Sequence, residues 1–330
     1  MTAASLDTPL TRHARIEAPL ICGAMYPCSN PELVAAASEA GGIGIVQPIS
    51  LTFVHGHEFR AGLRLIRSLT SKPIGMNALI EKASRLYLER MRQWVDVALE
   101  EGVRFFVTSL GNPRWVVERV HAVGGFVYHD VTEAKWAARG AEGGVDGLIA
   151  VNARAGGHAG PRDAEALLEE LRPFGLPLVA AGGVGDPAGF AAMLRLGYAG
   201  VQMGTRFIAT PECRASDAYK QAIVAASEDD VVLTERLTGV PVAVLNTPYV
   251  RRVGTKAGRF ERWMLAGRRR KHWMRSWYAM RSGFRLRRDS LVRGGRPQYW
   301  QAGKSVAAIR SIEPAGDIVR ACRAAVEAAP

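Results

Sequence analysis

The chain has 330 residues, 48% of them hydrophobic, which is enough apolar surface for one large core. Its 35 glycines fall at the ends of apolar runs and follow no period, which excludes a collagen-like or low-complexity chain. The formal charge of +12 is concentrated: residues 251–300 hold 16 Lys and Arg against two acids, Glu261 and Asp289, and the other 280 positions sum to −2.

The first fifteen residues contain Asp7 and no apolar run of the secretory type. No apolar run approaches the length of a membrane span; 176–184 is among the most apolar and is too short. A cytoplasmic protein is the expectation. Cys22, Cys28, Cys213 and Cys322 lack metal-binding spacing and are expected as reduced thiols, with no metal site.

From residue 19 to 207 the pattern repeats: a short apolar run, a polar or glycine turn, then an amphipathic stretch of helical length. Strands are predicted at 19–24, 43–47, 73–78, 104–109, 126–129, 147–151, 177–181 and 200–203. Helices are predicted at 31–40, 58–69, 84–101, 113–123, 132–142, 163–174 and 187–196. Asn30, Asn112 and Asp186 each precede a proline and read as helix caps. This alternation predicts parallel β/α architecture, and eight strands predict a closed (β/α)8 TIM barrel. A doubly wound sheet would want Gly-x-Gly-x-x-Gly after its first strand, and Cys22-Gly-Ala-Met-Tyr-Pro27 does not match.

Past residue 207, 212–226 reads as a helix and 228–245 as mixed, with a short strand at 240–245. A block from 251 to 293 interleaves arginines with Phe260, Trp263, Trp273, Trp277, Tyr278 and Phe284. Residues 304–328 read as the eighth helix. The predicted division is therefore a barrel at 15–210, an inserted cap at 211–300 and the last barrel helix at 301–328.

Chemistry in a β/α barrel sits where the strands end. Strand six is followed by Asn152-Ala-Arg-Ala-Gly-Gly-His-Ala-Gly160, in which glycines clear the space around one imidazole. Strands seven and eight end in Gly182-Gly183 and Gly204-Thr205, whose backbone amides suit a phosphate. Asn77, at the end of strand three, offers an amide to the polar edge of a planar ring, and Met25 and Met203 offer apolar ring contacts. His129-Asp130 reads equally well as a buried structural pair or as a functional one.

Together these segments resemble the nitronate monooxygenase family, formerly the 2-nitropropane dioxygenases: FMN-dependent β/α barrels with flavin-dependent enoyl-acyl-carrier-protein reductases as close relatives. The resemblance spans about residues 16–213. It rests on Gly23-Ala-Met25, Pro73-Ile-Gly-Met-Asn77, Ala155-Gly-Gly-His-x-Gly160, Ala180-Ala-Gly-Gly-Val184 and Met203-Gly-Thr-Arg-Phe207, and resumes at Trp300-Gln-Ala-Gly303. It implies FMN contacts from Gly23, Ala24, Met25, Asn77, Gly157, Ala181 and Met203. It implies a phosphate held by Gly182, Gly183, Gly204 and Thr205, and closure over the cofactor by Gln301, Ala302 and Gly303. His158 would face the substrate, as base toward an acidic carbon or to position a nitronate.

The expected function is oxidation of alkyl nitronates with O2. The alternative is an NAD(P)H-dependent flavin reductase acting on an enoyl thioester or quinone, and a binding protein whose barrel has lost catalysis is a third reading. Two features depart from the family pattern: the cation Arg154 and the 251–293 block. The block reads as a solvated cap, as a funnel for an anionic acyl-CoA, acyl carrier protein or carboxylate, or as a helix for an anionic membrane surface. No nucleic-acid motif accompanies it, so no nucleic-acid partner is expected.

Overall fold

The computed structural model describes residues 4–81, 85–258, 270–291 and 299–328, with backbone alone at 270–280. Eight parallel strands close a barrel in sequence order: β1 (Leu20–Cys22), β2 (Ile43–Val46), β3 (Gly75–Leu79), β4 (Phe105–Ser109), β5 (Phe126–Val131), β6 (Gly147–Val151), β7 (Leu178–Ala181) and β8 (Gly200–Met203). β8 pairs back onto β1, with Leu20 opposite Val201. All eight predicted strands are present, and the structure is the expected α/β TIM barrel.

Side chains alternate across each strand, so one set faces inward. Ile21, Ile43, Ile45, Phe105, Val107, Tyr128, Ile149, Val179 and Ala181 form a single interior cluster. The floor of that cluster comes from a helix absent from the prediction, α1 (Pro9–Ala14), which inserts Leu10 and Ala14. A capping box between Thr8 and Thr11 starts α1. His13 stacks on Phe126 at 4.2 Å, and its Nδ1 lies 3.2 Å from the Tyr128 hydroxyl. Gly200 makes room for this plug, because a methyl there would lie 2.3 Å from Leu10.

The outer ring is α2 (Pro31–Glu39), α3 (Phe59–Leu69), α4 (Arg85–Glu100), α5 (Arg114–His121), α6 (Ala134–Glu142), α7 (Ala164–Leu171) and α8 (Pro187–Leu196), covering the outward faces with two further apolar clusters. Asp186 caps α8 by accepting from Gly189 N at 2.7 Å. Asn30 precedes α2 without a side-chain cap bond; its amide donates instead to Glu212 O and Glu32.

Beyond β8 come the single turn α9 (Thr205–Ile208), then α10 (Asp217–Ala225), a hairpin of β9 (Val231–Thr234) and β10 (Val242–Leu245), α11 (Pro248–Val253) and α12 (Arg270–Leu291). The helix predicted over 212–226 starts five residues late, because Ser216 caps it by accepting from Tyr219 N. The single helix predicted over 304–328 is broken. A 3-10 turn spans Lys304–Ala308, and α13 covers Ala315–Glu327. Arg206, 3% exposed, explains the break: its guanidinium donates to Ser311 O at 2.9 Å and holds the intervening loop. α13 lies against α8 and α2, the eighth-helix position. The tryptophans of the 251–293 block, Trp263, Trp273 and Trp277, lie outside the residues whose side chains are described. Among the described residues no helix is long and apolar enough to cross a membrane.

Candidate functional site

Asn152, fully buried, organises the loop after β6. Its Oδ1 accepts from Arg154 N at 2.8 Å, its amide donates to Gly182 O at 3.0 Å, and its carbonyl accepts from Gly160 N. One side chain thus ties the histidine loop to the turn after β7.

That turn leaves no room for side chains. Gly182 and Gly183 both have positive φ, and methyls there would lie 2.5 Å from Asn152 Oδ1 and 2.7 Å from Arg154 Nε. A methyl on Gly156 would lie 2.9 Å from Gly303 N and 3.5 Å from Thr205 Oγ1. Gly303 N donates to that Thr205 hydroxyl at 3.0 Å. The segments 154–157, 182–183, 204–205 and 301–303 therefore form one cluster, although they lie up to 150 positions apart in the chain. Gly204 also adjoins Met25, whose Sδ would be 3.5 Å from a methyl there, and Gly23 lies against Gln202.

β10 fastens this cluster. Ala243 N donates to Gly157 O at 2.7 Å, and Val244 bridges to Gln301. Tyr219 donates its hydroxyl to Gln301 O and stacks on Trp300 at 5.2 Å. Asp289, buried on α12, accepts from Tyr299 N at 2.9 Å, and its carbonyl accepts from Trp300 Nε1 at 2.7 Å. Tyr26, in the loop after β1, donates to Gly283 O of α12 at 3.1 Å.

His158 is open to solvent, yet the protein around it desolvates the ring and lowers its pKa, so the imidazole is neutral at pH 7. Arg154 forms a two-pronged ion pair with Glu228 and holds that carboxyl below its usual range. His129 faces away from the barrel interior: its Nδ1 meets Thr108 Oγ1 at 2.8 Å, and burial lowers its pKa to about 4. It is structural.

Asp130 is not. It lies two residues past Tyr128 on the interior face and pairs in register with the interior residue Ile149. Its Oδ1 is shut off from solvent without a hydrogen-bond partner, and burial raises its pKa to about 7. Asn77, level with interior Val107, also carries a buried, unpartnered Oδ1. Such orphans are rare in folded proteins and suit a bound group that supplies the missing bond. Met25, Met203 and the glycine turns lie at or just past strand ends on one side of the barrel, whereas Asn77, expected at the end of its strand, is the middle residue of β3, which runs on to Leu79. Sequence reasoning assigned no role to Asn152, Gln202 or Tyr219. The inward position of Asp130 was readable from strand parity, two residues beyond a large apolar side chain. Among the described residues no cluster of His, Cys, Asp and Glu could hold a metal.

Comparisons with known proteins bear on the family and the fold. A dehydrogenase of Mycobacterium tuberculosis that acts on a hydroxy-methyl-oxo-octahydroindene carboxyl-CoA is 32% identical over 302 residues, covering 89% of this chain and 81% of that protein. A nitronate monooxygenase of Pseudomonas aeruginosa is 32% identical over 272 residues, covering 69% and 77%. The solved structure of FabK from Thermotoga maritima superposes with a TM-score of 0.79 at 30% identity, over 98% of this chain and 97% of that one. The family description that fits residues 7–322 is nitronate monooxygenase. With nearly the whole barrel and its C-terminal helix inside that match, the chain belongs to the nitronate monooxygenase family and is an oxidoreductase.

Proposed function

We propose that the protein is an FMN-dependent oxidoreductase acting on a small nitroalkane or its conjugate base, an alkyl nitronate in the leading reading, with O2 as oxidant. The observation that carries this is the clasp between the histidine loop and the two glycine turns: Gly156 lies on Gly303 and Thr205, one residue before Gly157 bonds β10.

The amides of Gly182, Gly183, Gly204 and Thr205 bind the FMN phosphate. Asn77 holds the ring's polar edge, while Gly23, Ala24, Met25, Ala181 and Met203 line it. Gln301, Ala302 and Gly303 close from the far side, held by β10 and Tyr219. FMN when bound supplies the two-electron chemistry and the reaction with oxygen. His158 is neutral at pH 7, so an imidazole nitrogen can take a proton from an acidic carbon or hydrogen-bond a nitronate oxygen. In this reading 15–210 is the catalytic barrel, 211–300 a cap that limits access to it, and 301–328 the last barrel helix.

A second reading takes an anionic acyl thioester as substrate. It is favoured by the exposed Arg251, Arg252 and Lys256 on and after α11, with Arg287 and Arg288 on α12. One of the relatives named above also bears on thioester chemistry by its CoA-ester name. A cation-lined approach concentrates a multiply charged substrate.

Purified protein should be yellow and release FMN on denaturation. Anaerobic mixing then separates the readings. Bleaching by ethylnitronate supports the monooxygenase, bleaching by a saturated acyl-CoA supports thioester oxidation, and bleaching by NAD(P)H alone supports the reductase. Colourless protein that takes up no flavin ends all three.

A further inference from the structure

The carboxyl of Asp130 is unused by the function described above. It sits on the interior face of β5 near the end of the strand, the side of the barrel on which the glycine turns lie. One of its oxygens is sealed from water and bonded to nothing. On β3, separated from β5 only by β4, the Asn77 side chain carries a second sealed, unbonded oxygen. Leaving a polar atom buried without a partner is costly, so two in one barrel interior form an arrangement suited to a ligand that supplies the missing bonds.

The charged surroundings are sparse. β3, β4 and β6 contain no titratable side chain. On β5 itself, His129 is engaged with Thr108 and Tyr128 with His13 of α1. The loop after β6 brings His158, which is neutral, and Arg154, which is paired with Glu228. No neighbouring charge contributes to the Asp130 shift; burial alone accounts for it. The group is thus poised to hold or release a proton near pH 7 according to whatever charge appears beside it.

We propose that Asp130 is a proton-holding positioning residue for the cofactor ring: neutral, it shares with Asn77 the hydrogen bonding of the ring's polar edge, and it gains a proton when the ring is reduced. The inference rests on the flavin reading. Reduction brings two electrons and one proton to the ring and leaves it singly negative. An ionised Asp130 beside that charge takes one further proton from solvent, so charge and protons balance at two electrons and two protons. Asp130 does not touch substrate; it sets how readily the ring accepts electrons as pH changes.

The test is the reduction potential of the holoenzyme measured from about pH 5.5 to 8.5, in wild type, Asp130→Asn and His158→Gln. Asn keeps the neutral shape and removes the titration. Above about pH 7 the wild-type potential should fall twice as steeply with pH as that of Asp130→Asn, with the two slopes equal at the acid end. His158→Gln should keep the wild-type slope. Proton uptake on reduction at about pH 8, read with an indicator dye, gives a second measure; wild type should take up one proton more than Asp130→Asn, or than Asp130→Ser if the Asn variant does not fold. Equal slopes and equal uptake in wild type and variant would overturn the role of Asp130, as would a difference that follows His158 instead. Protein that binds no flavin overturns the cofactor reading, and this inference with it.

Discussion

Asn152 shows how one side chain can shape a site without facing its ligand. Its amide spans the turn after β7 and the start of the histidine loop, so both are fixed before anything binds. His158 projects from that fixed loop. Substitution His158→Ala should therefore leave flavin content unchanged and lower turnover by roughly 10²–10⁴-fold, the usual worth of a positioned acid–base group; absorbance at the flavin band and steady-state kinetics check both halves. Asp130 yields a stability prediction as well. Its folded pKa of about 7 lies above the ordinary 3.8, so the folded state holds the proton more tightly and loses stability as pH rises from 3.8 to 7. The penalty is complete above pH 7 and amounts to at most about 4 kcal/mol. Asp130→Asn should accordingly raise the melting temperature of the cofactor-free protein at pH 8 and change it little at pH 4. At this scale the sequence was partly legible. The glycines and His158 stood out by type and spacing, but the role of Asn152 depends on a partner thirty positions away, and the asymmetry between His129 and Asp130 depends on which of two adjacent residues faces the interior.

Among the connecting elements, the loop from Arg154 to His158 separates two reasons for a glycine. Gly157 has a φ of 70° with open space around its Cα, whereas Gly156 has no positive φ and faces the backbone of Gly303 at close range. Gly157→Ala should cost roughly 1–2 kcal/mol of backbone strain and keep the cofactor. Gly156→Ala should push residues 302–303 away and weaken FMN binding at least tenfold, measured by fluorescence titration of the apoprotein. The strands and seven of the ring helices were readable because their periodicity is local. α1 was missed because six residues carry too little periodicity to declare a helix; its apolar side chains matter only as the stopper of a barrel. The break between residues 308 and 315 was missed for a related reason, since it is held by Arg206, a side chain more than a hundred positions upstream.

Over the whole molecule, charge and fold are separable. The barrel is close to neutral, and the excess positive charge belongs to the segment between β8 and α13. If that segment draws in a multiply charged thioester, replacing Arg251, Arg252 and Lys256 by Gln should raise KM for an acyl-CoA several-fold at low ionic strength. The effect should vanish near 1 M salt, where the screening length falls to about 3 Å, and a small nitronate should feel it far less. The architecture itself was fully legible, since an eightfold alternation of apolar strand and amphipathic helix has few other solutions. The substrate was not, because it depends on surface charge and on which side chains meet over the strand ends, and neither leaves a periodic signature in the sequence.

The double attachment of β10, to Gly157 on one edge and Gln301 through its neighbour Val244, constrains how such proteins can be recombined. A chimaera that swaps only the stretch following β8 would inherit a strand cut for someone else's loop. Functional exchange between relatives should require three separate pieces to travel as a set: the inserted stretch, the turn bearing the imidazole, and the tripeptide Gln301–Gly303.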